Sequence, residues 1–411
     1  MMKMNDHERS LCRAIDERQG ELVELMQRLI RAKSYNPPGT EENVARVILP
    51  ELERLGFKVQ VVEVERGRPN IIATLSGEKD HPRLLYYGHM DTMPPGNPEL
   101  WDVDPLGAEI IDGKIYGRGA CDHKMPIAAL IAAVDALNSE GVKLRESLVF
   151  VCVSDEEMGG TYGMKHLVER RMVKADWGVY GCTTCIPPED LEYLPNLGTD
   201  NIIMALSAMK RYRITLRGKL THGMFLEKGI NAAEAAGALI TALKERAEQV
   251  NRLEHPLTGR ARMYVNAVQA GPKYPDVCDI TVTRTLHPGE DPPQGKADVE
   301  EVVESFRARE PRIQTEITPV FDWPGAIVPR DAELIDSLRK AASKVTGREP
   351  TVTGIPSSSD MRWFVNDLNI PMVMFGYGYL MNHHAVNEHI AVEDLVNSAK
   401  AYALNITDML G

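Results

Sequence analysis

The sequence predicts an α/β protein: a domain built on a central, mostly parallel twisted sheet, with a smaller α+β domain inserted into it. Short β-rich runs alternate with helical stretches from residue 59 onwards, which is the pattern of strands joined by crossover helices. The alternation changes character near residue 205 and resumes near residue 325. The length of 411 residues is sufficient for two or three domains with buried cores.

The first part of the chain supplies elements of the sheet domain. Apolar residues recur at three- and four-residue steps between Leu22 and Leu29, which predicts a helix over 6–34 that ends before Pro37. Residues 147–153 are almost wholly apolar and predict a buried strand. The other elements predicted here are a helix over 41–55, strands over 59–64, 70–75 and 84–87, helices over 125–137 and 163–171, and a strand over 176–180.

The middle of the chain predicts the inserted domain. Residues 210–217 alternate with the period of a strand, 231–250 form an Ala-rich helical pattern, and 280–285 favour another strand. These elements suffice for a small α+β domain. The predicted boundaries are 1–205 and 325–411 for the sheet domain and 206–324 for the inserted one. The elements predicted after the insertion are a helix over 331–346, a strand over 371–375 and a helix over 393–410.

The composition excludes several classes of function. The chain has 47 Lys plus Arg against 59 Asp plus Glu, a net charge of −12, and no block rich in Lys and Arg. Nucleic acids and anionic membranes both require a basic face, so we expect neither as a partner. A hydrophobic content of 43% with 26% charged residues also excludes a disordered chain or a coiled coil.

The N-terminal region and the cysteines predict a cytoplasmic protein. Residues 1–34 are charged throughout and lack the apolar core of a signal peptide. No run of about 18 apolar residues occurs elsewhere. The 6 cysteines form no disulfide framework, and the Cys182, Cys185 spacing lacks the second pair that a zinc ribbon needs.

Ligand-type side chains cluster where predicted strands end and where one helix begins. Open α/β sheets bind ligands beyond the carboxyl ends of their strands. Taken singly, each side chain is explained by a structural hydrogen bond, a helix cap or a solvated acidic face. Taken together, they match the ligands of a hydrolytic divalent metal site. The clustered residues are His89, Asp91, Asp122, Glu156, Glu157 and His384.

The ordered motifs strongly resemble the metallohydrolase family typified by acetylornithine deacetylase, succinyl-diaminopimelate desuccinylase, aminoacylase and carboxypeptidase G. The resemblance extends over nearly the whole chain. Its main motifs are Gly88-His89-Met90-Asp91, Gly117-Arg118-Gly119-Ala120-Cys121-Asp122-His123-Lys124, Ser154-Asp155-Glu156-Glu157, Gly218-Lys219-Leu220-Thr221-His222, Ser359-Asp360 and the segment from His384 to Glu388.

The resemblance implies a role for each clustered residue. Asp91 would orient His89 from outside the metal shell, and Glu156 would be the general base. The implied metal ligands are His89 for one ion, Asp122 as the bridge, and Glu157 and His384 for a second ion.

The resemblance also implies residues that contact the substrate. His222 in the inserted domain would stabilise the oxyanion in the partner subunit's site, since this domain forms the dimer in the family. Arg284 would bind a substrate carboxylate, and Ser359 and Asp360 would shape the site. Asp360 is equally explained as a helix cap.

The main departure from the family pattern is Cys182, which stands where the family has an acidic metal ligand. Three outcomes remain open. Cys182 binds as a thiolate and favours zinc; Glu189, Asp190 or water takes its place; or one metal position is weak. Thr283 and His123 also differ from the pattern, and so the substrate need not be that of the relatives.

The sequence therefore predicts a metal-dependent hydrolase of an amide C–N bond in a small carboxylate-bearing substrate, such as an N-acyl amino acid or a short peptide. We expect one or two divalent ions (Zn, Mn or Co) per subunit and a homodimer or higher homo-oligomer. Two alternatives are an aminohydrolase that removes the amine of an aromatic acid, and an inactive relative that serves as a binding protein or scaffold.

Overall fold

The computed structural model describes residues 3–271 and 275–411 and divides the chain into two compact units. Unit 1 comprises Met1–Met204, Val328–Thr353 and Ser359–Gly411, and unit 2 comprises Ala205–Ile327 and Gly354–Ser358. The predicted boundaries at 205/206 and 324/325 lie close to this division. The segment 354–358, which the prediction assigned to the sheet domain, belongs to unit 2.

Ten α-helices are found in the described residues. They are α1 (Asp6–Glu17), α2 (Gln19–Arg31), α3 (Glu42–Arg54), α4 (Lys124–Ser139), α5 (Met164–Glu169), α6 (Ala232–Val250), α7 (Gln294–Arg309), α8 (Glu333–Thr346), α9 (Met361–Asn366) and α10 (Val392–Leu410).

Eighteen strands are found in the same residues. They are β1 (Lys58–Glu65), β2 (Arg68–Leu75), β3 (Pro82–His89), β4 (Ile110–Ile111), β5 (Lys114–Tyr116), β6 (Ser147–Val153), β7 (Trp177–Gly181), β8 (Asn201–Leu206), β9 (Ala208–Arg217), β10 (Glu254–His255), β11 (Gly259–Arg260), β12 (Met263–Ala270), β13 (Val277–Leu286), β14 (Gln314–Trp323), β15 (Ala326–Ile327), β16 (Thr351–Ile355), β17 (Met372–Phe375) and β18 (His389–Ala391).

The chain has a mixed α/β fold around a central sheet, in which the strand order begins β1-β2-β6-β3-β7-β17-β8. The four middle strands, β6, β3, β7 and β17, are parallel to one another. Antiparallel pairs flank them on both sides. Every residue of β6 is buried, as expected of a parallel strand covered on both faces. The prediction of a mostly parallel sheet therefore holds for the centre of the sheet.

The predicted helix over 6–34 is two helices. Arg18 separates α1 from α2 with φ −105° and ψ 17°, outside the helical region. Each helix buries its own apolar stripe, with Ile15 in α1 and Leu25 in α2 among the buried residues. The apolar spacing predicts both stripes but does not show that the chain bends between them.

Unit 2 contains a four-stranded antiparallel sheet in the order β12-β13-β9-β14, with α6 and α7 packed against it. The sequence predicted β9, β13 and α6 and missed β12, β14 and α7. Both missed strands are edge strands with many exposed residues, and α7 is rich in charge. Their hydrophobic patterns are correspondingly weak.

No helix in the described part of the chain is both long and apolar enough to cross a lipid bilayer.

Candidate metal centre

The parallel strands of unit 1 bring the predicted ligands to one edge of the sheet. β3 ends at His89, and the loop after β6 carries Glu156 and Glu157. His384 follows β17 through a longer loop, and Asp122 lies just before α4. Because parallel strands share the direction of their carboxyl ends, residues distant in sequence meet here.

Asp122, Glu157 and His384 converge on one point. His384 Nε2 lies 3.0 Å from Asp122 Oδ2 and 3.0 Å from Glu157 Oε2. One ligand atom from each residue lies within 4.8 Å of the others, and this is the one such group of His, Cys, Asp or Glu among the described residues. Two carboxylates and an imidazole suit Zn, Mn or Co, so the donors present fit a divalent metal.

His89 lies on the other oxygen of Asp122. Its Nε2 is 3.2 Å from Asp122 Oδ1, and its Nδ1 is 3.3 Å from Asp91 Oδ1. Asp122 thus directs one oxygen towards His89 and the other towards His384, as a bridging carboxylate would. His89 is not part of the three-residue group, so a second metal position has two convergent side chains, His89 and Asp122, rather than three.

Asp91 is completely buried and organises the acidic loop after β6. Its carboxylate accepts hydrogen bonds from the backbone N–H groups of Glu156 and Glu157, both at 3.1 Å, and from Asn36 Nδ2 at 2.9 Å. Asp155 adopts a left-handed conformation with φ 70°, which Asp tolerates better than most residues. The chain therefore turns sharply after β6, and the backbone of Glu156 and Glu157 comes within hydrogen-bond distance of Asp91.

Glu156 has one fixed oxygen and one that faces the site. Oε1 accepts hydrogen bonds from the Tyr180 hydroxyl at 3.0 Å and from the backbone N–H of Asp360 at 3.3 Å. Oε2 lies 3.9 Å from His89 Nε2. A carboxylate held on one oxygen with the other directed at the metal ligands has the orientation required of a general base.

Burial and neighbouring charges shift the pKa values of the ligand group in different directions. Burial alone would raise the pKa of Asp122, but His383, His384 and His89 outweigh burial and hold it well below its usual range. Hydrogen bonds to Asp122 and Glu157 raise the pKa of His384 to about 10, whereas burial and the charge of Asp122 raise the pKa of Glu157 to about 7. Protons on these groups supply positive charge that a divalent ion would replace.

The structure does not bring Cys182 into the ligand group. The side chain is buried, and its Sγ donates a long hydrogen bond of 3.5 Å to the Thr183 carbonyl. Burial raises the pKa of this thiol well above its usual range, and Asp122 and Glu156 raise it further. Glu189 and Asp190 lie outside the group as well. The three alternatives for this position, namely a thiolate ligand, a substitute ligand or a weak metal site, all stay predictions.

Sequence reasoning assigned no role to three residues that contact the site. His383 Nδ1 lies 3.3 Å from Asp122 Oδ2. The ring of His123 stacks on that of His89 at 4.3 Å. Glu388 is completely buried and accepts hydrogen bonds from the backbone N–H groups of Gly119, Cys121 and Asp122 at 2.7 to 3.0 Å. Glu388 is the last residue of the motif from His384 to Glu388, and His383 directly precedes that motif. Their proximity to a predicted ligand is the sequence feature that could have identified them.

Asp360 lies beside Glu156, the predicted general base, and Ser359 precedes it in the chain. Asp360 is buried, and its Oδ2 accepts a hydrogen bond from the Tyr87 hydroxyl at 2.8 Å. Burial and the neighbouring Glu156 raise the pKa of Asp360 to about 7. Ser359 Oγ accepts a hydrogen bond from the Met361 N–H at 3.3 Å, at the start of α9. Asp360 is thus hydrogen-bonded to Glu156 through its backbone, and Ser359 is hydrogen-bonded to the first residue of α9. The predicted contact of both residues with the substrate stays a prediction.

Arg284 does not have the exposure expected of a substrate-binding arginine. It is completely buried, with Nε 2.8 Å from Asp298 Oδ2 and an Nη 2.6 Å from Glu290 Oε1. Along β13 the core-facing residues are Ile280 and Val282, so the strand period places Arg284 on the same, helix-covered face. Internal acids occupy the guanidinium, so these contacts give no support to the predicted carboxylate contact, which stays a prediction.

His222 lies in an exposed loop of unit 2, where its Nδ1 accepts a hydrogen bond from the Met224 N–H at 3.2 Å. Its predicted role in a partner subunit's site stays a prediction.

The chain is similar to known proteins both in sequence and in fold. Residues 85–408 match the family described as peptidase family M20/M25/M40. N-formyl-4-amino-5-aminomethyl-2-methylpyrimidine deformylase of Bacillus subtilis is 26% identical over 413 residues, with 95% of each chain covered. Succinyl-diaminopimelate desuccinylase of Gluconacetobacter diazotrophicus is 28% identical over 402 residues, covering 94% of this chain and 96% of the relative.

The fold also matches solved structures over nearly its whole length. The dipeptidase Dug1p of Saccharomyces cerevisiae superimposes with a TM-score of 0.82 at 15% identity, with 98% of this chain and 99% of the dipeptidase covered. At this identity the likeness shows the fold and leaves the substrate open.

Proposed function

The chain belongs to peptidase family M20/M25/M40, and we propose that its site at the edge of the unit 1 sheet hydrolyses an amide C–N bond in a small substrate. The observation that carries this proposal is the convergence of Asp122, Glu157 and His384, with Glu156 held beside them. The predicted family and the predicted class of hydrolase are confirmed by the family match and by the relatives.

Asp122, Glu157 and His384 would hold a divalent metal, and His89 with Asp122 a second. When bound, such an ion polarises a carbonyl oxygen and lowers the pKa of water towards neutrality. Glu156 has the role of proton carrier, because Oε1 is fixed by Tyr180 while Oε2 is available. It accepts a proton from the attacking water and then gives it to the leaving nitrogen.

We propose an N-acyl amino acid or a short peptide as the substrate. The relatives named above are a deformylase and a desuccinylase, whose names describe the removal of acyl groups. Both favour amide hydrolysis over the removal of an amine from an aromatic ring. The inactive alternative is disfavoured because the ligand group and Glu156 are all in place. We further propose that the active form is a homodimer to which His222 contributes.

The substrate class can be tested directly. The purified chain, loaded separately with Zn²⁺, Mn²⁺ or Co²⁺, is assayed against N-acyl amino acids, dipeptides and amino-substituted aromatic acids. Release of amine from the first two classes supports the proposal. Turnover of aromatic amines without any amide turnover would establish the aminohydrolase alternative instead.

Glu156→Gln tests the proton carrier. The amide keeps the size of the side chain but cannot accept the proton, so turnover should fall by about 10²–10⁴-fold. Metal content should be unchanged, because Glu156 is outside the ligand group. The readouts are the initial rate and the metal per chain by mass spectrometry. Full activity in the variant would refute the assignment of Glu156.

A further inference from the structure

His383 is a partly buried imidazole at the metal centre that has no role in the site described above. Its Nδ1 is 3.3 Å from Asp122 Oδ2, and its Nε2 is 2.6 Å from Thr183 Oγ1. Only 17% of its side chain is exposed, and Thr183 is completely buried. The imidazole therefore links the end of β7 to the proposed bridging carboxylate.

His383 is not arranged as another ligand of the Asp122, Glu157 and His384 group. Neither of its ring nitrogens belongs to the set of donor atoms within 4.8 Å of one another. Thr183 Oγ1 lies 2.6 Å from Nε2, and Nδ1 faces Asp122 Oδ2, the oxygen that His384 Nε2 also contacts. The observed contacts of His383 are thus with Thr183 and with the carboxylate of a proposed ligand.

We propose that His383, held by Thr183, is a positioning residue that fixes the Asp122 carboxylate for metal binding. One tautomer satisfies both contacts: Nδ1–H donates to Asp122 Oδ2, and Nε2 accepts the hydroxyl proton of Thr183. Hydrogen bonds to a ligating carboxylate set its orientation, and their loss typically lowers metal affinity by about 10–100-fold.

Thr183 also connects His383 to the position at which the sequence departs from the family pattern. Thr183 directly follows Cys182, where the family pattern has an acidic ligand. The Cys182 thiol stays outside the ligand group, but the next residue reaches Asp122 through His383. The segment after β7 thus affects the metal centre indirectly, because Thr183 holds His383 and His383 holds the carboxylate of Asp122. This inference rests on the metal site in the proposed function.

The test measures metal affinity without turnover. Metal-free protein is titrated calorimetrically with Zn²⁺ and with Mn²⁺, as wild type and as His383→Ala, His383→Asn and Thr183→Val. His383→Ala should bind about 10–100-fold more weakly. His383→Asn should recover most of the affinity, because the Asn amide nitrogen stands where Nδ1 was. Thr183→Val should lose a few-fold, since the imidazole is no longer fixed.

His389→Ala is the matched control. His389 lies in the same segment, contacts the Asn387 carbonyl and packs against the tilted ring of Tyr116 at 4.8 Å, so its removal should leave metal affinity unchanged. Wild-type affinity in His383→Ala overturns the proposal, as does an equal loss in His383→Ala and His383→Asn. If His383→Ala fails to fold, a tenfold loss in His383→Asn or unchanged affinity in Thr183→Val overturns it.

His384→Ala separates this proposal from the metal site itself. If the wild type binds neither ion, the proposed metal centre fails. If the wild type binds, His384→Ala does not, and His383→Ala binds like the wild type, only the role of His383 fails.

Discussion

Two buried polar residues near the proposed ligands, Asn36 and Lys124, make hydrogen bonds of their own. Asn36 bridges the carboxylates of Asp91 and Asp155 at 2.9 and 3.0 Å. Lys124, the first residue of α4, is 1% exposed and donates a hydrogen bond of 2.9 Å to the Ala32 carbonyl. Burial lowers its pKa to about 7, although Glu388 acts in the opposite direction. The cost of burying such charges should therefore depend on pH.

The lowered pKa of Lys124 predicts that the metal-free protein becomes more stable as the pH rises above 7. The unfolded lysine titrates near 10.5 and the folded one near 7, so the unfolded state binds more protons between these values. By linkage, the free energy of unfolding increases with pH across this window. Relative to Lys124→Met, the wild type should gain about 2 kcal/mol between pH 7 and pH 9. Urea unfolding at both values measures this, and a pH-independent difference would contradict it.

At the scale of elements, the position of a strand in its sheet and the alternation of its side chains decide which residues are buried and which lie at the site. β6 lies inside the parallel core, and the acidic loop follows it directly. In unit 2, β13 lies between β12 and β9, and one of its faces is covered by helices. Arg284 is on that face and pairs with Asp298 of α7, so it joins a strand to a helix.

Arg284→Met should destabilise the protein by about 3–5 kcal/mol, because removal of one partner leaves the Asp298 charge buried. Arg211→Met is the matched control. Arg211 is half-buried on the neighbouring strand β9, where its Nε donates to Thr283 Oγ1 at 2.9 Å, and the cost should be below about 1 kcal/mol. Urea denaturation measures both. A fully stable Arg284→Met protein with a raised KM would support the predicted substrate contact.

At the scale of the whole molecule, the described chain contains two units, and only unit 1 holds the convergent metal ligands. His222 of unit 2 lies in a loop with an unusual number of exposed apolar side chains. Clustered exposed apolar residues commonly mark a contact surface, which favours the proposed homodimer. The exposed residues are Leu220, Met224, Phe225 and Leu226.

Subunit mixing tests whether His222 acts in the partner's site. Glu156→Gln and His222→Asn should each be inactive as pure dimers. If His222 acts across the dimer, a mixed dimer has one complete site, so equal mixing and exchange should restore about a quarter of wild-type activity. Sedimentation should show a species of twice 45.7 kDa. A monomeric enzyme of full activity, or no recovery on mixing, would rule out the shared site.

The sequence alone determined the family and the α/β class, and it predicted the three residues that converge in the ligand group. Motifs such as His89-Met90-Asp91 and Glu156-Glu157 are local, and the period of the apolar runs shows which side chains are buried. Helix ends, edge strands and α7 were less predictable, because their patterns are weak or depend on contacts distant in sequence.

Tertiary structure alone decided the partners of individual side chains. Arg284 looked available in the sequence, but Asp298 and Glu290 occupy it. His383 stands next to the predicted ligand His384 in the sequence, but only the fold brings it to Asp122 and to Thr183, which is 200 residues away. A side chain's hydrogen bonds and charge partners depend on which distant residues the fold brings within about 3 Å, and a linear pattern does not contain that information.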